Sequence, residues 1–413
     1  MPNEGPRDPS PARERGNPQR SPPVHSTAML ALAASGAVSA LIWAYMLLGR
    51  GRFWHVSRTQ PVARELTRRV AVVVPARNEA AVIAQSLESL LPAAGDSLHV
   101  YLVDDGSSDG TAQIARNTAA SLAKLDSLTI LEGQPLPPGW SGKLWAVSQG
   151  IAAARFFRPE FILLTDADIV HSAGTIGSLV AIAENSGYDL VSFMAKLHCR
   201  SIVEKLLIPA FVFFFFMLYP PAWTVDVRRA TAGAAGGCLL IRPQALDRIG
   251  GIEAIRGEII DDCALARAVK RSGGKIWLGP TEASASIRPY GSFAEIGRMI
   301  SRTAFNQLRH STVLLLGTVV GLAVTYLLPP GLLFSGHAVP IILGVIAWAL
   351  MTISYSPMVR LYRLNPLWAL TLPLAAVFYM GATIHSAAKY WLGRGGEWKG
   401  RAQDRGHPAI HSQ

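Results

Sequence analysis

Charged residues and cysteines are both scarce in this chain of 413 residues, and each shortage excludes a class of protein. Only 16% of the residues are charged while 50% are hydrophobic. That balance is too apolar for an ordinary soluble enzyme and indicates membrane segments. The three cysteines, Cys199, Cys238 and Cys263, are scattered and form no CxxC or Cys/His cluster. A disulfide framework and a zinc site are therefore not indicated, and we expect a reduced domain that faces the cytoplasm.

Acidic residues are also in short supply, with 28 against 39 lysines and arginines, for a formal net charge of +11. Much of the basic excess lies beside apolar segments. This distribution suits an anionic membrane surface and argues against nucleic acid as a partner.

The N-terminal third of the chain carries the first membrane signal. Residues 1–27, rich in Pro, Arg, Ser and Glu, predict a disordered tail. Residues 28–49 predict a transmembrane helix rather than a cleaved signal peptide, because the apolar run is long and no convincing cleavage site follows it. Six arginines between positions 50 and 69 then predict that residues 50–312 lie on the cytoplasmic side.

A second membrane region is predicted over residues 313–391. It contains three apolar segments, at roughly 313–334, 338–356 and 367–388. The first linker lacks fixed charge and the second holds Arg360 and Arg363, which predicts that the first is outside and the second inside. A full third crossing would put the basic tail, 392–413, outside against that rule. Pro373 permits a re-entrant or interfacial course instead, so both courses stay open.

Between the membrane regions, carboxylates follow short apolar strands. Four apolar residues in Phe161–Thr165 predict a strand buried on both faces, and Asp166 and Asp168 follow it. Ligands collect at the carboxyl ends of strands in open α/β sheets. Two acids one residue apart at such an edge indicate a site for a hard divalent cation, or else a polar strand end with a helix cap.

Two earlier strands end in the same way. Residues 70–75 predict a strand that leads to Glu79, and residues 99–103 predict one that leads to Asp104 and Asp105. We assign Asp104 to holding the turn that follows. Helical spacing separates the strands, so the expected fold class is α/β with a mostly parallel sheet, plus transmembrane helices.

Three motifs in this order resemble the family 2 inverting glycosyltransferases of the GT-A fold, a Rossmann-like architecture. They are Val-Val-Pro-Ala-Arg-Asn-Glu at 73–79, Val-Asp-Asp-Gly-Ser-Ser-Asp-Gly-Thr at 103–111 and Thr-Asp-Ala-Asp at 165–168. The segments at 136–146 and 395–401 are similar to the membrane-bound branch that glycosylates lipids, above all to the hopene-associated glycosyltransferases of bacteria. The resemblance implies a nucleotide-sugar donor such as a UDP-sugar, a membrane lipid acceptor such as a hopanoid, and the bacterial inner membrane as location.

The resemblance also implies donor contacts. Asp105 would accept hydrogen bonds from the ribose or the base, and Glu79 would read the ribose, unless it only serves a helix N-terminus. Lys143 would meet phosphate as a point charge, unless it is a solvated lysine. Pro75 and Arg77 belong to the first motif and are assigned to the donor as well.

The remaining implied roles concern the reaction itself. Asp168 is the more direct ligand of Mg or Mn, with Asp166 shared between the metal and the donor. In Asp261-Asp262-Cys-Ala-Leu the second acid matches the family's general base, although Asp261 replaces the usual glutamate, so either could act. Gly237, in a loop of small residues, would lie against the donor sugar.

Two further features bear on the acceptor. Arg302 matches a family arginine that could hold the diphosphate, whereas Met299 and Thr303 replace the glutamine and tryptophan of the processive relatives. This loss argues against a polysaccharide synthase. The apolar segment 204–222 is short and contains proline, which predicts an interfacial course near the acceptor's access route, with a buried core helix as the alternative.

Three other functions remain as alternatives. One is a glycosyltransferase that acts on a polyprenyl phosphate. The second is a processive polysaccharide synthase, which Met299 and Thr303 disfavour. The third, from a different class, is a non-catalytic membrane scaffold in a lipid pathway.

Overall fold

The coordinates are a computed structural model, in which residues 24–56, 64–392, 397–398 and 401–402 are described. Most of the two predicted tails, 1–27 and 392–413, lies outside these residues. Residues 24–27 belong to the first helix, which begins four residues before the predicted start.

Eight strands form a single sheet with the order β3-β2-β1-β4-β7-β6-β8-β5. They are β1 (Val70–Ala76), β2 (Leu98–Asp104), β3 (Leu128–Glu132), β4 (Phe161–Thr165), β5 (Ile169–His171), β6 (Leu190–Lys196), β7 (Cys238–Ile241) and β8 (Ile276–Ser286). A separate antiparallel pair joins β9 (Glu397–Trp398) to β10 (Arg401–Ala402).

Strands β3, β2, β1 and β4 are mutually parallel, as are β6 and β8, whereas β7 and β5 run against their neighbours. All seven residues of β1 are buried, as a strand covered on both faces requires. The predicted α/β fold with a mostly parallel sheet is confirmed.

Helices cover both faces of the sheet. The α-helices of the described residues are, in chain order, α1 (Val24–Leu48), α2 (Ile83–Leu90), α3 (Thr111–Ser121), α4 (Gly142–Ala154), α5 (Thr175–Ser186), α6 (Ile202–Leu218), α7 (Pro221–Val225), α8 (Pro243–Arg248), α9 (Asp261–Arg271), α10 (Phe293–Ser301), α11 (Ala304–Gln307), α12 (Thr312–Leu322), α13 (Leu328–Leu332), α14 (Ala338–Leu361) and α15 (Leu372–Trp391). Helices α2, α3 and α5 pack on one face and α4, α8 and α9 on the other. Residues 64–310 are called the sheet domain below.

Five helical segments among the described residues are long and apolar enough to cross a membrane. They are Thr27–Leu48, Ile202–Val225, Thr312–Leu332, Ala338–Leu361 and Pro366–Trp391. The third contains a π-helical stretch, Ala323–Leu327, and the last begins with the 3-10 helix Pro366–Thr371. Their buried faces share one hydrophobic core with Ile296 and Ile300 of α10 and with Met194 and Leu278 of the sheet.

Helix α6 is attached to the sheet domain at both of its ends. At the start, the Glu204 carboxylate accepts hydrogen bonds from the backbone N–H groups of Arg200, Ser201 and Tyr290 at 2.8 Å each. At the other end, Tyr219 accepts a hydrogen bond from Gln307 Nε2 at 2.8 Å. The two attachment points lie in the chain that follows β8.

Replacing Glu204 by alanine is expected to lower the free energy of unfolding by about 3 kcal/mol, because three backbone donors lose a buried, charged acceptor. Thermal unfolding in detergent, followed by circular dichroism, measures the effect. Glu295→Ala is the matched control, since the Glu295 carboxylate accepts one solvent-exposed backbone bond from Gly291 at 2.7 Å. Its cost should stay below about 1 kcal/mol, and equal losses in the two variants would contradict this role of Glu204.

The last apolar segment leaves the sheet domain and returns to it. Where α14 ends, Arg363 Nε lies 3.4 Å from the Glu282 carboxylate of β8. The chain then runs back along α14, since the Trp348 indole N–H donates to the Leu370 carbonyl at 3.3 Å. After α15 descends, the Phe305 backbone N–H donates to Ser386 Oγ at 3.1 Å. Both ends of this segment therefore contact the same domain.

Candidate active site

The site is built at one edge of the sheet, where the carboxyl ends of β1, β2 and β4 meet. Ala76 at the end of β1 pairs with Asp104 at the end of β2, and Thr165 at the end of β4 pairs with Cys238. Because β7 is antiparallel to β4, its first residues and the loop before it reach the same edge. The parallel strand order thus brings together acids that are far apart in the sequence.

The ends of β1 and β2 hold the first pair of predicted donor residues. Asp105 is 1% exposed, and Arg77 Nη1 lies 3.6 Å from its Oδ2 atom and also donates to the Asp105 backbone carbonyl. Asp104 Oδ1 accepts the Ser107 backbone N–H at 3.0 Å and so holds the following turn. The Glu79 backbone N–H donates to Thr111 Oγ1 at 2.9 Å, which ties the loop after β1 to the start of α3.

Asp168 forms an ion pair with an arginine that the sequence motifs do not indicate. Arg288 Nε donates to Asp168 Oδ2 at 3.2 Å, and its Nη2 donates to Glu79 Oε2. Ser286 Oγ donates to the same Asp168 oxygen at 2.9 Å. Burial acts to lower the pKa of Arg288, but Asp168 and Glu79 raise it more, so the guanidinium stays charged.

Lys143 joins the acids of β4 to those of α9. Its Nζ atom lies 2.9 Å from Asp166 Oδ1 and 3.2 Å from Asp261 Oδ2. Burial acts to lower the pKa of Lys143, but the two carboxylates raise it well above its usual value. Loss of hydration raises the pKa of Asp166, against the opposing effect of Lys143. The lysine is therefore an ion-paired member of the site rather than a solvated side chain.

Asp262 is held by the loop that precedes β7. Its Oδ2 atom accepts the Gly236 backbone N–H at 2.8 Å. A Cβ atom at Gly236 would lie 3.2 Å from Lys143 Nζ and 3.4 Å from Asp262 Oδ2, so a side chain there would crowd both groups. Burial and the adjacent Asp261 raise the pKa of Asp262 to about 6. A carboxylate of that kind accepts a proton readily near neutral pH.

A solvent-open cleft of about 370 Å³ borders the part of the site that contains Lys143, Asp261 and Asp262, whereas Glu79, Asp105, Asp168 and Arg288 are not among its lining residues. Its polar lining is supplied by the following residues: Lys143, Thr165, Asp166, Gly236, Asp261 and Asp262. Pro75 also lines the cleft, and its assignment as a donor contact stays a prediction. Gly237 is not among the lining residues, and its carbonyl accepts a hydrogen bond from Thr165 Oγ1 at 2.8 Å. Arg302, at the C-terminal end of α10, is exposed, and its backbone N–H bonds to Arg298.

The donor set suits a hard divalent cation. Asp166 and Asp168 offer carboxylate oxygens, and Asp168 Oδ1 accepts no hydrogen bond among the described residues. No group of three or more His, Cys, Asp or Glu in the described part of the chain could hold a metal by itself. Two protein carboxylates plus ligands from a phosphate and water form the usual Mg²⁺ arrangement in phosphate-binding sites.

Sequence reasoning missed two contributors to the site. Arg288 follows the last strand of the sheet without a recognisable motif, and it is 209 positions from its partner Glu79. Gly236 lies in the loop of small residues that drew attention to Gly237, but a loop pattern does not show which N–H points into the cleft. In both cases the missing information is a contact between distant parts of the chain.

Comparison with known proteins gives a family and a fold. The model of a family described as glycosyltransferase-like family 2 matches residues 68–304. A solved mannosyltransferase from Pyrobaculum calidifontis, in complex with GDP-Man and Mn²⁺, is 20% identical with a TM-score of 0.53. That alignment covers 86% of this chain and 97% of the other. The likeness shows a shared fold.

Two weaker matches extend the comparison. A glucosyl-3-phosphoglycerate synthase from Mycobacterium tuberculosis is 19% identical, with a TM-score of 0.35, over 56% of this chain and 76% of that one. An uncharacterised protein of Methanocaldococcus jannaschii is 31% identical over 121 residues, which are 29% of this chain. The match covers 44% of that relative's length.

Proposed function

This chain belongs to glycosyltransferase-like family 2, and we propose that it transfers a single sugar from a nucleotide-sugar donor to a lipid acceptor in the membrane. The donor is a nucleoside diphosphate sugar, with a UDP-sugar as the first candidate. The acceptor is a hydrophobic alcohol, and the resemblance noted above makes a hopanoid the first to test. The reaction is a metal-dependent single displacement that inverts the anomeric centre.

The observation that carries this proposal is the charge of the site. Three cations, Arg77, Lys143 and Arg288, pair with acids there. The acids number six: Glu79, Asp105, Asp166, Asp168, Asp261 and Asp262. With all six ionised, six negative and three positive charges leave a formal charge of −3, which would repel a diphosphate unless a divalent cation joined it.

Each residue then has a role in the reaction. Asp168 and Asp166 would hold the metal, which when bound neutralises charge on the departing nucleoside diphosphate. The Asp262 carboxylate takes the proton of the acceptor hydroxyl as its oxygen attacks the anomeric carbon and the bond to the diphosphate oxygen breaks. The Gly236 N–H fixes the position of the Asp262 oxygen. The positive charge of Lys143 reduces the repulsion between the Asp166 and Asp261 carboxylates.

The membrane helices support a lipid as acceptor. Helix α6 is strongly apolar, yet its two ends are both attached to the sheet domain through Glu204 and Tyr219. A helix held in this way would lie along the membrane surface beneath the site, as the sequence predicts for segment 204–222. Such a helix offers an apolar face past which a lipid head group could reach Asp262.

Nucleoside diphosphate release by the detergent-solubilised full chain tests the function. Candidate UDP- and GDP-sugars are supplied with Mn²⁺ and a lipid extract, and the lipid products are identified by mass spectrometry. We expect one glycosylated lipid to accumulate, and its formation to stop with EDTA. Transfer to a polyprenyl phosphate would favour the alternative acceptor, and polymer made from donor alone would revive a processive synthase. No turnover with any donor and lipid would overturn the proposal.

We also propose three membrane crossings, by α1, by α12 with α13, and by α14, with the last apolar segment re-entrant. The return of α15 to Phe305 supports this course. It keeps the basic tail on the same side as the sheet domain, as the distribution of positive charge favours. That side would be the cytoplasmic face of a bacterial inner membrane.

Cysteine labelling of oriented vesicles tests this topology. Ser335→Cys, in the first C-terminal linker, should react with a membrane-impermeant maleimide from the side opposite the sheet domain. Leu392→Cys, just after α15, should react from the same side as the sheet domain. Because Cys238 and Cys263 are buried, a parent chain with Cys199→Ser provides the background. Labelling of both positions from the same side of the membrane would contradict three crossings.

A further inference from the structure

Arg288 holds one oxygen of the Asp168 carboxylate, the group assigned above to the metal. Its guanidinium bridges two acids from different strand ends, donating to Asp168 at 3.2 Å and to Glu79. One third of the side chain remains exposed to solvent. The Arg288 side chain is therefore ion-paired but only partly buried.

The backbone around Arg288 is fixed on both sides. The Ile287 N–H donates to the Asp168 carbonyl at 2.9 Å, and the Tyr290 N–H donates to the buried Glu204 carboxylate at 2.8 Å. Any change in the partners of Arg288 must then come from rotation of its side chain, since the loop is held in place. Long arginine side chains change rotamer without disturbing the backbone.

Two cations cannot share the Asp168 carboxylate at close range without strong repulsion. A metal that uses Asp168 Oδ1 would lie next to the guanidinium on Oδ2. A diphosphate supplies the compensating negative charge, and arginine binds phosphate oxygens through two parallel N–H groups. The arrival of the diphosphate can therefore draw Arg288 away from Asp168 and make room for the metal.

We propose that Arg288 is a positioning residue that competes with the divalent cation for Asp168, so that the metal binds tightly only together with the donor diphosphate. This inference rests on the proposed function, because it takes Asp168 as a metal ligand. It assigns to this chain an order of binding: the donor and the metal enter together, and the metal alone is held weakly.

Mn²⁺ binding to the solubilised full chain tests the competition without any turnover. Free Mn²⁺ is measured by electron paramagnetic resonance, first with Mn²⁺ alone and then with UDP or GDP present. For the unmodified chain we expect the nucleotide to tighten Mn²⁺ binding at least tenfold. For Arg288→Gln we expect Mn²⁺ alone to bind about tenfold more tightly than to the unmodified chain, with a smaller gain from the nucleotide.

Arg248→Gln is the matched control, because Arg248 is also an arginine paired with an acid, Asp189 at 3.0 Å, but that pair lies at the opposite edge of the sheet from Asp168. Its affinity for Mn²⁺ alone should stay within about twofold of the unmodified chain. Arg288→Lys serves if the glutamine variant does not fold, and its affinity should fall between the two.

Equal affinity for Mn²⁺ alone in the unmodified chain and both Arg288 variants would overturn the competition, and so would a rise in Arg248→Gln as large as in Arg288→Gln. Absence of Mn²⁺ binding in all of the proteins, with either nucleotide, would instead contradict the metal dependence in the proposed function, and the competition would fall with it.

Discussion

Asp262→Asn is expected to lower kcat by about 10³-fold, the middle of the range that a general base contributes. Asparagine has nearly the same shape as aspartate and can still accept the Gly236 N–H, which Asp262 accepts at 2.8 Å. It cannot take a proton from the acceptor hydroxyl. The loss should therefore appear in kcat, with little change in donor affinity, as measured by nucleoside diphosphate release under saturating donor.

Asp261→Asn is the comparison that separates the two adjacent acids. Asp261 pairs with Lys143 at 3.2 Å. We expect Asp261→Asn to lower kcat about tenfold or less, because the lysine loses one of its partners and is positioned less well. A larger loss in Asp261→Asn than in Asp262→Asn would transfer the role of base to Asp261, and full activity in both variants would eliminate the mechanism.

The same assignment predicts the pH dependence. A base whose pKa is raised to about 6 is protonated and inactive below that pH and ionised above it. The value of kcat/KM should thus rise with pH through about 6 and reach a plateau toward neutral pH. In Asp262→Asn this rise should disappear from the residual activity, and an unchanged profile would show that another group titrates.

Asp168→Asn has the second large effect, an expected loss of about 10³-fold in kcat/KM together with weaker binding of Mn²⁺ in the presence of nucleotide. The asparagine keeps an oxygen for the Ser286 hydroxyl, which donates to Asp168 at 2.9 Å, but removes the charge that would hold the metal. It also leaves Arg288 with one carboxylate partner, so the guanidinium becomes freer to bind the diphosphate. Mn²⁺ titration of the activity and of binding measures both consequences.

Asp189→Asn is the control for this substitution. Asp189 is another acid paired with an arginine, Arg248 Nη2 at 3.0 Å, but it lies just before β6, at the opposite edge of the sheet from the candidate site. Turnover should stay within about threefold and the Mn²⁺ requirement should not change. An Asp168→Asn protein as active as this control would remove Asp168 from the metal site.

Local sequence was sufficient for the fold because the strands carry their own signals. The buried runs at 70–76 and 161–165 are too apolar for anything but a covered strand. Acids that follow such strands must reach one edge when the strands are parallel neighbours. The prediction that Glu79, Asp105, Asp166 and Asp168 lie at that edge therefore needed only the strand order, which the structure supplies.

The partners of these acids could not be predicted in the same way. Arg288 meets Glu79 across 209 positions, and Lys143 reaches Asp261 from the first turn of a different helix. A local pattern records burial and periodicity, but not which distant charges will be brought into contact. For this reason Lys143 could be read from the sequence as a phosphate contact or as a solvated side chain with equal ease.

The sequence by itself determined the strand ends, their acids and the apolar segments, because periodicity and hydrophobicity act within a few residues. Only the tertiary structure decided that Arg288 faces Asp168, that Gly236 rather than Gly237 donates to Asp262, and that the last apolar segment returns to the domain it left. Each of these depends on packing between elements that are distant in the sequence. The energy of that packing is shared among many residues, so no single segment of the sequence reveals it.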